Sequence, residues 1–462
     1  MWPAECRALD AAANEPVESL VQRAGAAVAR SALRLLGGSY GKRVTVVWGP
    51  GNNGADGRVA GRLLAQRGVR VRYVDALDRE SVALVGPRPA GDLLIDAAFG
   101  TGFRDDFWAT AVHDTAVLAV DIASGVDAAT GELRGRVWPA SMTVTFACAK
   151  PGLLLHPGRA HSGHVEVADI GLGAGAADLA SAWWVERDDL RRWPRRPPNA
   201  HKWSAAVGVV AGSPGMWGAS GLVAAGAAAA GAGMVRLIGH DSDAYAPIEA
   251  VRVYAQDQTA ILAALAKCRA AVVGPGVGRN DYARTRVDAA LEWPGPLVLD
   301  ADGLAHIGSG DDATARLRRR SSPTVITPHA AEFTRLLGRD IRADVVEDVR
   351  DFARCSGSVV LLKGPTTIVC DESGHTWFVT AGDERLATAG TGDVLAGVIA
   401  AGLALSAGSA GGRSSGVGEV VAVAAALHGY AATLRPGLLV ASALPSRIGE
   451  LLGCVWMGGC ID

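Results

Sequence analysis

The residues best suited to chemistry in this sequence are aspartates that follow short apolar runs and stand close to glycine. Asp96 and Asp121 each follow such a run, and Asp393 ends the string Gly-Thr-Gly-Asp. A single aspartate in such a place is more often a helix cap or a turn residue than a catalyst. Two of them in order, behind a loop rich in glycine and asparagine, favour a binding or catalytic site instead.

That loop carries a second kind of chemical group. Residues 49–57 (GPGNNGADG) directly follow the apolar run 44–47 and precede a stretch with a helical pattern. Glycines let the backbone approach a ligand closely, and amides at a helix start favour anions such as a pyrophosphate. Asparagine adds donors and an acceptor oxygen that suits a hard cation. Because Asn-Asn-Gly-x-Asp-Gly is far less generic than a glycine-rich turn, it predicts a ligand site at a strand end.

Polar strings also follow apolar runs in the second half of the sequence. The Gly-Thr-Gly-Asp string opens an apolar, Ala-rich stretch and predicts a helix start that binds an oxyanion. Taken alone, Asp393 is equally well explained as a helix cap. Four further strings favour a nucleotide cleft at the strand ends. They are Lys363-Gly364-Pro365-Thr366-Thr367, Thr327–Glu332, Asp300–Gly303 and Gly274–Gly278.

Continuous apolar runs alternate with helix-like stretches in both halves of the chain. This pattern predicts strands buried on both faces, and hence two mostly parallel α/β sheets. The Arg- and Pro-rich segment Arg187–Pro198 marks the predicted domain boundary, because its prolines forbid a continuous helix or a central strand. A long surface loop inside one domain is the alternative. The Gly-, Ser- and Ala-rich tract at 407–418 predicts a flexible insertion.

The composition excludes several classes of protein. The chain has 462 residues, of which 49% are hydrophobic and 20% charged, as is typical of a soluble globular protein with more than one domain. Its net charge of -2 gives no bulk attraction to nucleic acid or acidic membranes. The seven cysteines are scattered without CxxC spacing, which argues against a disulfide framework or a zinc site. With no secretory signal or membrane span visible, we expect a cytoplasmic protein.

Residues 1 to about 175 resemble the N-terminal domain of the NAD(P)H-hydrate epimerases. The resemblance rests on the loop at 49–57 and the aspartate segments at 96–102 and 121–127. The strings at 145–153 and 165–171 also support it. It implies a Rossmann-like three-layer α/β/α sandwich that binds a potassium ion.

Carried over residue by residue, the resemblance implies potassium ligands at Asn53, Asp96 and Ser124. It implies that Asp121 is catalytic and contacts the substrate. Two loops are expected to hold the hydrated nucleotide: Asn52, Asn53, Gly54, Ala55 and Asp56, and Gly100, Thr101, Gly102, Phe103 and Arg104.

The sequence departs from the epimerase pattern at two positions. Ala55 and Ala123 stand where the family usually has glycine and proline. Alanine would be strained at position 55 if the backbone there required a positive φ. We nevertheless expect a working epimerase.

Residues 200 to about 455 resemble the ribokinase-like α/β/α C-terminal domain of the ADP-dependent NAD(P)H-hydrate dehydratases. The strings His201-Lys202-Trp203, 212–220, Thr327-Pro328-His329 and Gly390–Asp393 carry the resemblance. The implied reaction phosphorylates the ring hydroxyl of the hydrate with ADP and then eliminates phosphate, which leaves far more readily than hydroxide. Its products are the reduced nucleotide, AMP and phosphate. Mg²⁺ is expected to accompany the ADP.

The same resemblance assigns roles to individual residues of the second half. Asp393 is expected to remove the hydroxyl proton, and the amides of Gly390, Thr391 and Gly392 to stabilise the transferring phosphoryl group. The adenine nucleotide is expected to lie against Lys363, Gly364, Pro365, Thr366, Thr367 and Gly392. Ala219, Gly278, His329 and Asp393 are expected to contact the hydrated nucleotide. Ala331 replaces the usual glycine of the Thr-Pro-His string.

We therefore predict an epimerase domain at 1–186, a linker at 187–200 and an ADP-dependent dehydratase domain at 201–462. Small molecules are the expected partners, within a homo-oligomer. A ribokinase-like small-molecule kinase fused to a non-catalytic binding module is the alternative, because Gly-Thr-Gly-Asp is shared with such kinases. A dinucleotide-dependent oxidoreductase has little support, since the first loop lacks the GxGxxG pattern with its acidic partner.

Overall fold

The computed structural model describes residues 1–83, 85, 91–112, 114–239, 246–407 and 416–458. The tract predicted as a flexible insertion lies largely outside these residues. The chain divides into two compact units, Met1–Ala182 and Trp183–Asp462. Each unit is described by itself below.

The first unit is built on a six-stranded sheet with the order β2-β1-β3-β5-β7-β8. All neighbours in this sheet run parallel. The central strand β3 is buried along its whole length, as expected for a sheet covered on both faces. A short ribbon pairs β4 with β6. The strands are β1 (Arg43–Trp48), β2 (Arg70–Asp75), β3 (Leu93–Ala97), β4 (Phe107–Trp108), β5 (Ala116–Val120), β6 (Gly135–Arg136), β7 (Met142–Phe146) and β8 (His164–Ala168).

Two long helices cover one face of this sheet. In α2, Leu20, Ala24, Ala27 and Val28 are buried, which is the spacing of a single apolar helix face. This helix ends at Gly37, whose φ of 66° is the left-handed conformation common at helix ends. The helices of the unit are α1 (Pro3–Ala11), α2 (Val17–Leu36), α3 (Asn52–Gln66), α4 (Arg79–Ala83), α5 (Pro151–Leu154) and α6 (Gly173–Leu179).

The second unit is built on a ten-stranded sheet with the order β12-β11-β10-β13-β14-β15-β16-β17-β18-β9. The strands from β12 to β16 run parallel, and β17 is antiparallel to both of its neighbours. The strands are β9 (Ala182–Val185), β10 (Ala206–Val210), β11 (Met234–Ile238), β12 (Val251–Val253), β13 (Ala270–Val273), β14 (Leu297–Leu299), β15 (Thr324–Ile326), β16 (Val359–Leu362), β17 (Thr367–Cys370) and β18 (Thr376–Val379).

Helices that are rich in alanine and glycine pack closely in the second unit. A Cβ atom on Gly397 would lie 2.1 Å from the carbonyl oxygen of Val223, and one on Gly226 would lie 2.4 Å from that of Val394. Glycine therefore lets α7 and α14 touch through their backbones. The helices are α7 (Trp217–Ala229), α8 (Gln258–Leu265), α9 (Asp281–Glu292), α10 (Asp302–Ala305), α11 (Gly310–Arg318), α12 (Ala330–Leu337), α13 (Val345–Ser356), α14 (Thr391–Ala407), α15 (Val417–Thr433) and α16 (Leu444–Trp456).

The predicted class of fold is confirmed, with two α/β units and mainly parallel sheets. The segment predicted as a linker differs from the expectation in one respect. It contributes Leu190 and Trp193 to the core of the second unit, where the indole nitrogen of Trp193 donates to the carbonyl of Ala230 at 3.0 Å. Two large apolar side chains in an Arg- and Pro-rich segment are enough to anchor it. Within the described residues, no helix combines the length and apolarity needed to cross a membrane.

The contact between α7 and α14 yields a stability prediction. Gly397→Ala places a methyl group against the Val223 carbonyl, so it should destabilise the second unit by about 1–3 kcal/mol. The matched control is Gly449→Ala in α16, where the nearest atom lies 4.0 Å away. There the substitution should stabilise the unit by about 0.5–1 kcal/mol through helix propensity. Urea unfolding measures both, and equal effects would refute the close contact.

Candidate active sites

The first unit holds a cavity of about 940 Å³ at the carboxyl ends of its parallel strands. The loop after β1 contributes Asn52 and Asn53, the loop after β3 contributes Gly100, and Asp121 follows β5 directly. The sheet thus brings together segments that are far apart in the sequence. A cavity of this size accommodates a ligand as large as a nucleotide.

Glycine shapes the loop after β1 by close backbone packing. A Cβ atom on Gly49 would lie 1.9 Å from the carbonyl oxygen of Ala98, and one on Gly54 would lie 1.8 Å from that of Gly49. Larger residues are therefore excluded at both positions. Ala55, by contrast, lies in α3 and is not among the described residues with positive φ. The departure from glycine at position 55 therefore causes no strain.

The three predicted potassium ligands are found at the same strand ends. The hydroxyl of Ser124 donates to Asp96 Oδ1 at 2.6 Å, and its amide donates to Asp96 Oδ2 at 2.8 Å. Asp96 is fully buried, and burial raises its pKa against the opposing effect of these bonds. Asn53 is 9% exposed, and both polar atoms of its side chain lack a partner in the described structure. The unpaired, buried amide oxygen of Asn53 is the kind of ligand that suits a hard cation.

Asp121 is held by a buried lysine that the sequence did not single out. Lys150 Nζ donates to Asp121 Oδ1 at 2.5 Å and to Thr145 Oγ1 at 2.9 Å. Burial alone would lower the pKa of Lys150, but Asp121 and the two nearby cysteine sulfurs outweigh it, and the net pKa is raised. The lysine therefore stays charged and fixes the position of the aspartate. The signal available in the sequence was the position of this lysine, a few residues after a buried strand.

Asp56 lines the same cavity in a different environment. Its side chain is 5% exposed, and its Oδ1 has no hydrogen-bond partner among the described residues. Burial, and after it the charge of Asp121, raise the pKa of Asp56 to about 8. The cavity therefore combines a carboxylate paired with lysine and a second carboxyl group that is protonated near neutral pH.

Most of the residues predicted for the first site line its cavity. Gly54, Ala55, Asp96, Ser124 and Arg104 do not. Arg104 instead donates to the carbonyl oxygens of Thr101 and Phe103 within its own loop. Aromatic rings form part of the wall, with Phe99 stacked on Phe103 at 4.0 Å between ring centroids. The predicted residues in the lining are Asn52, Asn53, Asp56, Gly100, Thr101, Gly102, Phe103 and Asp121.

The second unit holds a cavity of about 410 Å³, also at the carboxyl ends of its parallel strands. Ala219 in α7 and Asp393 in α14 line it, as predicted for the hydrated nucleotide. Ala301, which follows β14, lines it as well and adopts a φ of 51°, which is rare for a residue other than glycine. Strained backbone of this kind is common at functional sites.

Asp393 lies in the first turn of α14 beside a buried ion pair. Lys363 Nζ donates to Asp300 Oδ1 at 2.9 Å, and a Cβ atom on Gly392 would lie 3.6 Å from the same nitrogen. Burial, and after it the charge of Asp300, raise the pKa of Asp393 to about 7, against the opposing charge of Lys363. The group can therefore accept a proton near neutral pH.

Buried hydrogen bonds hold the start of α14 in place. Thr391 Oγ1 donates to the carbonyls of Leu386 at 2.8 Å and Thr388 at 2.9 Å. His428 Nε2 lies 2.9 Å from the Thr391 carbonyl, and because a carbonyl can only accept, this nitrogen carries the hydrogen. Burial lowers the pKa of His428 to about 4, so the ring is neutral at pH 7. No pattern in the sequence points to this histidine, which lies 37 residues from Thr391.

Two predicted contacts with the hydrated nucleotide lie outside the lining of the second cavity. His329 is the N-cap of α12, where its Nδ1 accepts from the Glu332 amide at 3.2 Å. Gly278 donates its amide to Asp302 Oδ2 at 3.1 Å. The nearby Glu332 and Asp302 do line the cavity. Lys363 to Thr366 form the turn between β16 and β17, and Thr367 begins β17.

Comparison with known proteins finds relatives of both units. A family model described as NAD(P)H-hydrate dehydratase matches residues 207–452. A second one, described as YjeF-related protein N-terminus, matches residues 17–85 and 74–152.

Curated relatives extend over most of the chain. A bifunctional NAD(P)H-hydrate repair enzyme of Mycobacterium tuberculosis is 36% identical over 85% of this chain and 86% of its own length. The enzyme of the same name from Escherichia coli is 30% identical over 77% and 75%. A solved ribokinase-like superfamily protein from Enterococcus faecalis covers 60% of this chain and 96% of its own, with a TM-score of 0.50 and 20% identity. That likeness confirms the predicted ribokinase-like fold.

The environment of Asp56 yields a prediction about stability. Its pKa is near 8 in the folded chain and near 3.8 when unfolded, so between these values the folded state binds more protons. Raising the pH from 5 to 8 should therefore lower the free energy of unfolding of the wild type. Asp56→Asn should not show this loss, because its amide does not ionise. The free energy of unfolding of the variant, relative to that of the wild type, should increase by up to about 1.4 kcal/mol per pH unit. Urea unfolding at several pH values measures this, and a difference that is independent of pH would contradict it.

Proposed function

Since this chain belongs to the family of bifunctional NAD(P)H-hydrate repair enzymes, we propose that it returns hydrated NADH and NADPH to the reduced coenzymes. The first unit epimerises the R and S hydrates, and the second dehydrates the S-hydrate at the expense of ADP. One observation carries the proposal: each unit matches its half of the family, and each has a cavity lined by an aspartate that a nearby lysine acts on.

In the second unit, the poor leaving ability of hydroxide is the chemical obstacle. Transfer of phosphate from ADP to the ring hydroxyl converts it into a good leaving group, and elimination then restores the ring. Asp393 removes the hydroxyl proton as the oxygen attacks phosphorus, which suits a carboxyl group with a pKa of about 7. The Gly390–Gly392 amides at the start of α14 stabilise the charge of the transferring group.

Lys363 and the turn that follows it hold the adenine nucleotide in this proposal. Its ammonium group lies beside the start of α14, where it can reach a phosphate as well as Asp300. Mg²⁺ would neutralise the ADP phosphates, which supply many of its ligands in such sites. Among the described residues no three histidine, cysteine or carboxylate side chains gather as a metal cluster, so we assign it no protein ligands.

In the first unit, the hydroxyl-bearing carbon of the hydrate must change its configuration. This carbon also carries the ring nitrogen, so its configuration changes when a base takes the hydroxyl proton, the C–N bond breaks to leave a carbonyl group, and an acid protonates the departing nitrogen. The nitrogen then adds back to the other face of the carbonyl with both protons returned, so the protein must supply an acid and a base. Asp121, positioned by Lys150, is the base in this proposal. Asp56, which is protonated near neutral pH, is the acid.

Asn53, Asp96 and Ser124 would hold a potassium ion at the carboxyl ends of β1, β3 and β5, where Asn53 also lines the first cavity. Their oxygen atoms, among them the unpaired Oδ1 of Asn53, fit such an ion. When bound, the ion supplies a fixed positive charge for the phosphate groups of the hydrate. The potassium ion, the cytoplasmic location, the homo-oligomer and the domain limits given above remain predictions.

The assignment of Asp393 gives the first test of this function. Asp393→Asn should lower ADP-dependent dehydration of the S-hydrate by about 10²–10⁴-fold, because it removes the general base. In the wild type, turnover should rise with pH through about 7 as Asp393 ionises. The return of reduced-nicotinamide absorbance measures both.

Epimerisation by the same variant is the internal control. It should proceed at the wild-type rate, because Asp393 lies in the second cavity. Retention of dehydratase turnover in Asp393→Asn, with an unchanged pH profile, would refute the role of this residue.

The predicted potassium site gives a test that does not depend on activity. A saturating concentration of potassium at about 100 times its Kd should stabilise the first unit by about 2.7 kcal/mol. Asn53→Ala should abolish the difference between KCl and LiCl at equal ionic strength, whereas Asn52→Ala at the exposed neighbouring position should preserve it. Thermal unfolding measures the shift, and equal wild-type melting temperatures in the two salts would exclude the site.

A further inference from the structure

Two cysteines face each other in the wall of the first cavity. Cys6 lies on α1 and Cys148 follows β7, and their sulfur atoms are 3.7 Å apart. Both side chains are partly exposed and line the cavity. Nothing in the sequence relates them, because they are 142 residues apart and lack any motif spacing.

The surroundings give the two thiols different reactivity. The hydrogen bond between the two sulfur atoms, and the charge of Lys150, lower the pKa of Cys148 against the effect of burial. The same bond and burial raise the pKa of Cys6. Cys148, which faces the Lys150 ammonium group, is therefore the more easily ionised thiol of the pair.

Two other cysteines show the opposite environment. Burial raises the pKa of Cys268, and it raises that of Cys370 to about 12. Neither lines either of the two cavities. Such thiols behave as small apolar side chains and are unreactive.

We propose that Cys148 is a site of oxidation by hydrogen peroxide and that Cys6 is its resolving thiol. The Cys148 thiolate attacks one peroxide oxygen, the O–O bond breaks, and the hydroxide released takes up a proton to form water. Cys148 is now a sulfenic acid. Cys6 then attacks the Cys148 sulfur, the S–O bond breaks, and the hydroxyl group leaves with the Cys6 proton as a second water. In total, two thiols are oxidised to a disulfide and one peroxide is reduced to two waters.

The geometry allows this bond with little movement. The two sulfur atoms are in van der Waals contact at 3.7 Å, and the bonding distance of about 2.05 Å requires them to approach by less than about 2 Å. The disulfide would tie α1 to the segment that carries Lys150, and it would remove the thiolate charge that faces this lysine. Oxidation therefore acts on the group that positions Asp121.

The cross-link is tested by peptide mass spectrometry on the full-length chain. After treatment with hydrogen peroxide and blocking of free thiols, a peptide that joins Cys6 to Cys148 should appear. Cys6→Ser should instead leave a sulfenic acid on Cys148 that dimedone traps, and Cys148→Ser should leave Cys6 reduced. Cys355→Ser, at an exposed position, is the matched control and should form the cross-link like the wild type. Absence of the joined peptide from the wild type overturns the proposal.

The effect on turnover rests on the proposed epimerase function and is measured separately. Oxidation should lower epimerisation by about tenfold or more, since small displacements of a positioned group are costly, and a thiol reductant should restore it. Dehydration of the S-hydrate should not change. A cross-link that leaves epimerisation unaltered refutes the effect on the site. A reduced chain without any epimerase activity refutes the proposed function and leaves the oxidation site standing.

Discussion

Each unit places one lysine beside two carboxyl groups at the end of its parallel strands. In the first unit Lys150 bonds Asp121 while Asp56 stands near, and in the second Lys363 bonds Asp300 while Asp393 stands near. The ammonium group pairs with one of the two carboxylates. The other carboxyl group is not bonded to a cation, so burial disfavours its charged form and raises its pKa. The two sites thus use the same electrostatic device to obtain a group that exchanges protons near neutral pH.

Close backbone packing holds these groups in place. Gly49, Gly54 and Gly397 each bring a carbonyl oxygen to a distance that no side chain would tolerate. Asp121 and Ala301 adopt positive φ at the two sites although neither is glycine. Such conformations persist only where the surrounding structure enforces them, here the buried sheet from which both residues emerge. The packing of the two sheets therefore offsets the backbone strain at Asp121 and Ala301.

The sequence predicted the features that depend on short stretches of neighbouring residues. Apolar runs gave the sheets, and the strings around Asn53, Asp121 and Asp393 gave the strand ends at which both cavities lie. Partners distant in the sequence could not be found in this way, because Lys150 and Asp121 are 29 residues apart and Lys363 and Asp300 are 63 apart. Nor could the sequence show that His329 caps a helix, or that apolar contacts anchor the Arg- and Pro-rich segment.

The central claim is that two separate sites in one chain act in succession on the same damaged coenzyme. Complementation tests it most directly, with pure R-hydrate and ADP supplied to Asp121→Asn, to Asp393→Asn and to their equimolar mixture. We predict that neither variant alone forms reduced coenzyme faster than the hydrate epimerises without enzyme, and that the mixture restores its formation. Production by either variant alone at the wild-type rate, or a mixture as inactive as its components, would contradict the account.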